Sequence, residues 1–199
     1  TGLRNSKYLT EYLYQVLRNP YRRSKAVLLL NFVNFKTLNI TYGFLYGDEV
    51  LKQITVKVRT LLDSDDLFFR FDGDRFILVL EDYADQQELR AFADKLMHIF
   101  EDPIIVGTER QYVAVQIAIV EIKDRHTSTD KILQDATLTL SHIKDSSTDQ
   151  VAFFNEDMEK RLLWQDKIVK VLREVIEGKD TESFYLEFQP MLDLTKNKI

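Results

Sequence analysis

The chain has 199 residues, no cysteine, three histidines, 45% apolar residues and a formal net charge of −5. This length and apolar fraction suit one ordinary domain plus a piece of something else and exclude global disorder. Disulfides and thiolate metal sites are excluded, the scattered His98, His126 and His142 lack zinc-ligand spacing, and the mild negative charge argues against non-specific nucleic-acid binding.

In chain order, residues 6–18 predict a helix with apolar Leu9, Tyr12, Leu13 and Leu17, stopped by Asn19-Pro20. AVLLLNFV (26–33) is a nearly continuous apolar run of strand length, which predicts a strand buried on both faces. FKTLN reads as a connector. A second helix is expected from Phe44 to Leu62, with Leu51, Ile54, Val58 and Leu61 on one face. RFDGDRFILVL (70–80) predicts a tight hairpin turning at Asp72-Gly73, with positive φ at both positions. A third helix carries Leu89, Phe92, Leu96 and Ile99. IIV (104–106) is then expected to pair with YVAVQIAIVEI, followed by a helix over 129–144 and a last strand, VAFF.

These elements predict an α+β domain: a central, mostly antiparallel sheet flanked by helices, similar to nucleotidyl-cyclase and ferredoxin-like folds. Beyond it, Asn155 is placed to cap a helix with a stripe of Leu162, Val169, Leu172 and Ile176 and a stop at Gly178. GKDTE then leads to a new strand signal, FYLEFQPML. No run of 18 apolar residues occurs, so no membrane contact is expected within this chain. The opening TGLRN lacks a signal-peptide pattern, and the chain stops at LTKNKI straight after a strand-like run. We therefore expect both ends to be cuts in a longer protein, cytoplasmic in this part and open to membrane anchoring through other segments.

Four stretches resemble one family in the right order and at the right separations. TGLRNSKYL is similar to TGLxNRxxL. NFVNFKTLNITYGFLYGDEVL is similar to DxDxFKxxNDxxGHxxGDxxL. RFDGDRF stands in the place of RxGGDEF, and LQDATLTLSHIK in that of LxxADxALYxAK. These are signatures of GGDEF domains, the module of diguanylate cyclases, and the resemblance covers residues 1–155. FYLEFQPMLDLTKNKI resembles the opening of an EAL phosphodiesterase domain, FxLxYQPIxDLxTxxI. The resemblance thus implies a degenerate GGDEF domain (1–155), a linker helix (156–178) and an N-terminal EAL fragment (179–199). The parent would be a cyclic-di-GMP signalling protein of bacteria, with the EAL domain of the same polypeptide and a homodimer mate as partners.

Diguanylate cyclases join two GTP molecules, the 3′-hydroxyl of one attacking the α-phosphate of the other. Magnesium neutralises the phosphate charge and helps to ionise the hydroxyl. It is a hard cation that favours carboxylates, which the family places at the end of the first strand and in the GGDEF hairpin. The first carboxylate position is Asn31 here, and the next is Val33. Asp72, Gly73, Asp74, Arg75 and Phe76 replace Gly-Gly-Asp-Glu-Phe. Asp74 retains a weak metal ligand, Arg75 puts a cation in place of the second acid, and Asp72 removes a glycine that lets nucleotide approach.

The resemblance implies guanine recognition by Asn39 and Asp48 and phosphate contact by Lys144, whose arginine companion is replaced by Thr148. Plain structural uses stand beside these roles: a helix cap for Asp48, a turn for Asn39, a solvated Lys144. The window of the family's inhibitory product site, RxxD, reads Asp63-Ser64-Asp65-Asp66 and lacks the arginine. Gln116 and Ala118, where the family has SxG, are read as a packing change with little bearing on activity.

The leading expectation is a catalytically inactive GGDEF domain that regulates or positions an EAL phosphodiesterase, with GTP as a regulatory ligand and weak magnesium binding. One alternative is an active or weak diguanylate cyclase. Another is an interaction module with Asp72 and Arg75 bridging across the pocket.

Overall fold

A computed structural model describes residues 1–19, 24–62, 67–145 and 149–178. The window 63–66, residues Ser147 and Thr148, and the expected EAL segment 179–199 lie outside the described residues. Residues Thr1–Met158 form one compact unit and the chain from Glu159 a second.

The strand written in AVLLLNF is the axis of the first unit. It is β1 (Lys25–Phe32), and every residue from Ala26 to Phe32 is buried. Burial on both faces requires a layer of helices on each side and a neighbouring strand at each edge. The partners are β3 (Arg75–Glu81) and β6 (Val115–Glu121), both antiparallel to β1. With β2 (Phe68–Asp72) and β7 (Val151–Phe153) outside them, the sheet order is β2-β3-β1-β6-β7. Among the described strands the β6–β7 pair alone is parallel, so the sheet is mostly antiparallel and the fold α+β.

Period-two alternation splits the apolar residues of the sheet into two cores. Ala26, Leu28, Leu30 and Phe32 face α3 (Phe44–Arg59) and α4 (Gln86–His98). Val27 and Leu29 face α1 (Ser6–Arg18) and α5 (Thr129–Asp145), with Ile77 and Val79 of β3 and Ala118 and Val120 of β6. Caps fix where two of these helices start. Asn5 Oδ1 accepts from the Lys7 and Tyr8 N–H groups, and Asp85 Oδ1 from Glu88 N–H.

Three local expectations are corrected. FKTLN is no connector but the body of α2 (Phe35–Tyr42), an eight-residue helix. Burial of Phe35 and Leu38, one helical turn apart, holds it in place, and Gly43, at φ +87°, breaks it from α3. The β2–β3 hairpin turns one residue later than expected. Asp72 pairs with Arg75, so Gly73-Asp74 is the turn, with positive φ at Gly73 alone. A register shift between Arg70 and Asp72 leaves Phe71 as the extra residue and moves the turn. Lastly, IIV is β4 (Ile104–Val106) and does not pair with β6. It closes a separate ribbon with β5 (Glu109–Gln111) through Gly107-Thr108, where Gly107 supplies φ +62°.

Around the end of β6, the imidazole of His126 and the carboxylate of Asp135 are both buried. His126 Nδ1 accepts from the Lys123 N–H at 2.9 Å, and Nε2 lies 3.2 Å from Asp135 Oδ2. Arg125 pairs with the same carboxylate, and its guanidinium lies 4.3 Å from the centre of the Phe154 ring. Burial is the largest influence on His126 and holds its pKa below the ordinary 6.5. A depressed histidine contributes stability that is complete above its unfolded pKa and is lost as pH falls below it. The wild type should therefore lose melting temperature between pH 7.5 and 5.5 more steeply than His126→Gln. Parallel slopes in thermal melts would refute that assignment.

Helix α6 (Glu156–Ile176) begins in the first unit. Asn155 Oδ1 accepts from the Asp157 and Met158 N–H groups at 2.9 and 3.2 Å, and Met158 is buried. The remainder belongs to the second unit. It carries the stripe of Leu162, Val169, Leu172 and Ile176 and ends before Gly178, whose φ is +71°. Among the described residues, no helix is long and apolar enough to cross a membrane.

Candidate functional site

The α2–α3 corner and the tip of the β2–β3 hairpin enclose a cleft of about 400 Å³. Asn39 comes from α2, Asp48 from the first turns of α3, and Asp74 from the hairpin turn. Asp74 from the hairpin thus joins Asn39 and Asp48 of the α2–α3 pair in one cavity, together with Lys36, Ile40 and Phe44. Arg70 also lines it and donates from Nε and Nη2 to the Gly73 carbonyl at 3.4 and 3.3 Å, which anchors the turn. The matched motifs DxDxFK and RxGGDEF contain Lys36 and Arg70 without giving them a role, and Ile40 and Phe44 depart from the pattern NDxxGH. The corner at Gly43 brings Lys36, Ile40 and Phe44 to the rim, and the hairpin brings Arg70.

Gly47 sets the position of Asn39. A Cβ on Gly47 would lie 1.9 Å from Asn39 Oδ1 and 3.2 Å from Phe35 Cζ. Asn39 Oδ1 is buried and has no hydrogen-bond partner among the described residues. Gly47→Ala is therefore expected to push Asn39 out of place and to cost about 1–3 kcal/mol of stability. Urea denaturation followed by circular dichroism measures this, and an unchanged midpoint would contradict it.

Asn31 lies elsewhere. It continues the row of Val27 and Leu29 on the sheet face covered by α1 and α5. Its in-register neighbours are Arg75 on β3 and Gln116 on β6. Asn31 is buried, and its Nδ2 donates to Gln116 Oε1 at 3.2 Å. Gln116, read in the sequence as a packing change, is thus the direct partner of Asn31. Arg75 shares this face and does not point away to the other. Its Nη2 pairs with Asp72 Oδ2 at 2.5 Å, and its guanidinium lies 5.7 Å from the centre of the Phe71 ring. The Asp72–Arg75 bridge spans the hairpin, and neither residue lines the cleft. Asp74, at the turn, faces the cleft with Asn39 and Asp48.

Phe76 is fully buried and belongs to the core. Lys144 is exposed in the last turn of α5. Because α5 joins two parallel strands, it runs antiparallel to both, and Lys144 ends up at the Gln116 end of β6.

The donors around Asn31 do not fit a magnesium ion. Two neutral amides and a guanidinium offer no anionic oxygen, whereas magnesium is usually bound through one or two carboxylates. Among the described residues, no group of three or more His, Asp or Glu could hold a metal ion. The cleft has a different character. It brings the Asn39 amide and the Asp48 carboxylate together with apolar side chains beside them.

Comparison with known proteins agrees with this architecture. Over 201 residues the chain is 26% identical to the cyclic di-GMP phosphodiesterase NbdA of Pseudomonas aeruginosa, covering all of this chain and 25% of NbdA. It is 25% identical over 195 residues to the cyclic di-GMP phosphodiesterase PdeR of Escherichia coli, covering 96% of this chain and 28% of PdeR. The chain therefore spans about a quarter of the length of these relatives. A solved GGDEF domain of TpbB (YfiN) from Pseudomonas aeruginosa superposes with a TM-score of 0.75 at 25% identity, over 82% of this chain and 96% of that one. Residues 1–150 match the family described as "Diguanylate cyclase, GGDEF domain". The chain belongs to the GGDEF domain family.

Proposed function

We propose that this GGDEF domain does not itself make cyclic di-GMP. It regulates or positions an EAL phosphodiesterase domain of the same polypeptide in the cytoplasm, with GTP as its regulatory ligand. One observation carries the reading: Asn31, at the family's first carboxylate position, is hydrogen-bonded to Gln116 and flanked by Arg75. Joining two GTP molecules needs a cation on the phosphates, and this position has lost the charge that would hold one. The cleft with Asn39 and Asp48 keeps acceptors for a guanine. Two relatives aligned over nearly all of the chain, NbdA and PdeR, carry phosphodiesterase names, which supports the EAL partner. Helix α6, capped on the first unit by Asn155, supplies the connection.

Incubating the full-length protein with GTP and magnesium and separating the nucleotides by chromatography tests this. The expected result is no cyclic di-GMP. Product that forms in the wild type and disappears in Asp74→Ala would establish the diguanylate cyclase reading instead.

A further inference from the structure

The row Arg75–Asn31–Gln116 does more than fail to hold a metal. Its formal charge is +1, in a position where the family's acids would give a negative one. We propose that this row is an anion site: Arg75 takes the phosphates of the nucleotide in place of a divalent ion, and Asp72 competes for it from within the chain. The proposal rests on the nucleotide reading above.

The geometry carries it in three steps. The three residues sit in register on adjacent strands, so their side chains share one face at one end of the sheet. Asn31 has already committed an N–H to Gln116 Oε1, which fixes the amide pair and leaves the Gln116 side-chain amide as a further donor. Next, the guanidinium is accessible. The Arg75 side chain is 29% exposed and that of Asp72 65%. Such an exposed pair is weak. A phosphate carries more charge than a carboxylate and accepts the guanidinium fork in two parallel bonds, so it displaces Asp72. Finally, the row adjoins the cleft. Asp74 lines the cleft, and Arg75 follows it directly at the start of β3. A nucleotide with its base against Asn39 and Asp48 would pass the hairpin turn at Asp74 to bring its phosphates to the row. The topology brings Lys144 to that end as a second cation.

The test is calorimetric titration of the full-length protein with GTP, once in magnesium and once in EDTA. Binding is expected to be no tighter in magnesium than in EDTA, because the ion that GTP itself chelates competes with Arg75 for the phosphates. Arg75→Glu should weaken GTP binding by about tenfold or more, as loss of a charged hydrogen bond does. Asp72→Asn should tighten it by a few-fold, about the strength of an exposed ion pair. Guanosine, which lacks phosphate, should bind all three proteins equally. Tenfold tighter binding in magnesium, or Arg75→Glu with wild-type GTP affinity, overturns the proposal. Absence of GTP binding in both buffers overturns it too, and the regulatory ligand with it. The non-catalytic reading is judged separately, by the product assay.

Discussion

Replacing Phe76 with Ala should cost about 3–5 kcal/mol of folding stability. Phe76 stands in the family's signature hairpin, yet its ring is wholly inaccessible. It stacks on Phe68 with centroids 5.6 Å apart and meets Phe32 edge-on at 5.7 Å. Phe32 in turn meets Phe100 edge-on at 5.2 Å. Removing Phe76 therefore opens a void where β1, β2, β3 and the end of α4 converge. Native domains hold only about 5–15 kcal/mol in total, so the variant forfeits a large share of its margin. Urea denaturation of wild type and variant measures the effect. A loss below about 1 kcal/mol would show that the ring is not the keystone of this cluster. The hairpin signature thus divides by burial: its last residue holds the core, and the four before it form the turn and the ion pair that braces it.

The second large effect concerns the metal. Asn31→Asp alone should not create a magnesium site, because the new carboxylate faces Arg75 across the ladder and pairs with it. Adding Arg75→Glu places two carboxylates side by side on adjacent strands. Without a divalent ion the two repel, and the double variant should melt below the wild type. With magnesium at ten times its dissociation constant, binding contributes about 1.4 kcal/mol. That corresponds to a rise of roughly 3–6 °C for a domain of this size. Scanning calorimetry in EDTA and in magnesium reads both halves. A wild type that responds to magnesium as strongly as the double variant would contradict the mismatch described for Asn31, Gln116 and Arg75.

How much of this was legible in the sequence depended on the range of the interaction that decides each feature. The two-sided strand β1, the helices α1, α3, α4 and α5, and the Asn155 cap are written in local periodicity and capping chemistry, and they form where expected. Helix α2 is not legible locally because eight residues with two buried side chains, Phe35 and Leu38, give too short a pattern to separate from a connector. Local sequence puts the hairpin turn one residue early because Asp-Gly is a strong local signal, and the displaced register at Phe71 is invisible without the partner strand. The candidate site was legible in its parts but not in its grouping. Asn39, Asp48 and Asp74 converge on one cleft, while Asn31 and Arg75 belong to a different face. The contact between Asn31 and Gln116 joins strands about 85 residues apart in sequence, and no window of local sequence contains it.

The central place of β1 also bears on how the domain is made. Of the strands in the sheet β1 is synthesised first, but one of its edges is satisfied by β3 and the other by β6. Its last partner residue, Glu121, is synthesised about 90 residues after Phe32. At roughly 5–20 residues per second, that is an interval of about 5–20 s. During it the run Ala26–Leu30 has no complete sheet to enter, and five consecutive apolar residues form the kind of segment that seeds aggregation. Slow translation before Glu121, or truncation ahead of it, should therefore produce insoluble chains, whereas truncation after Phe153 should not.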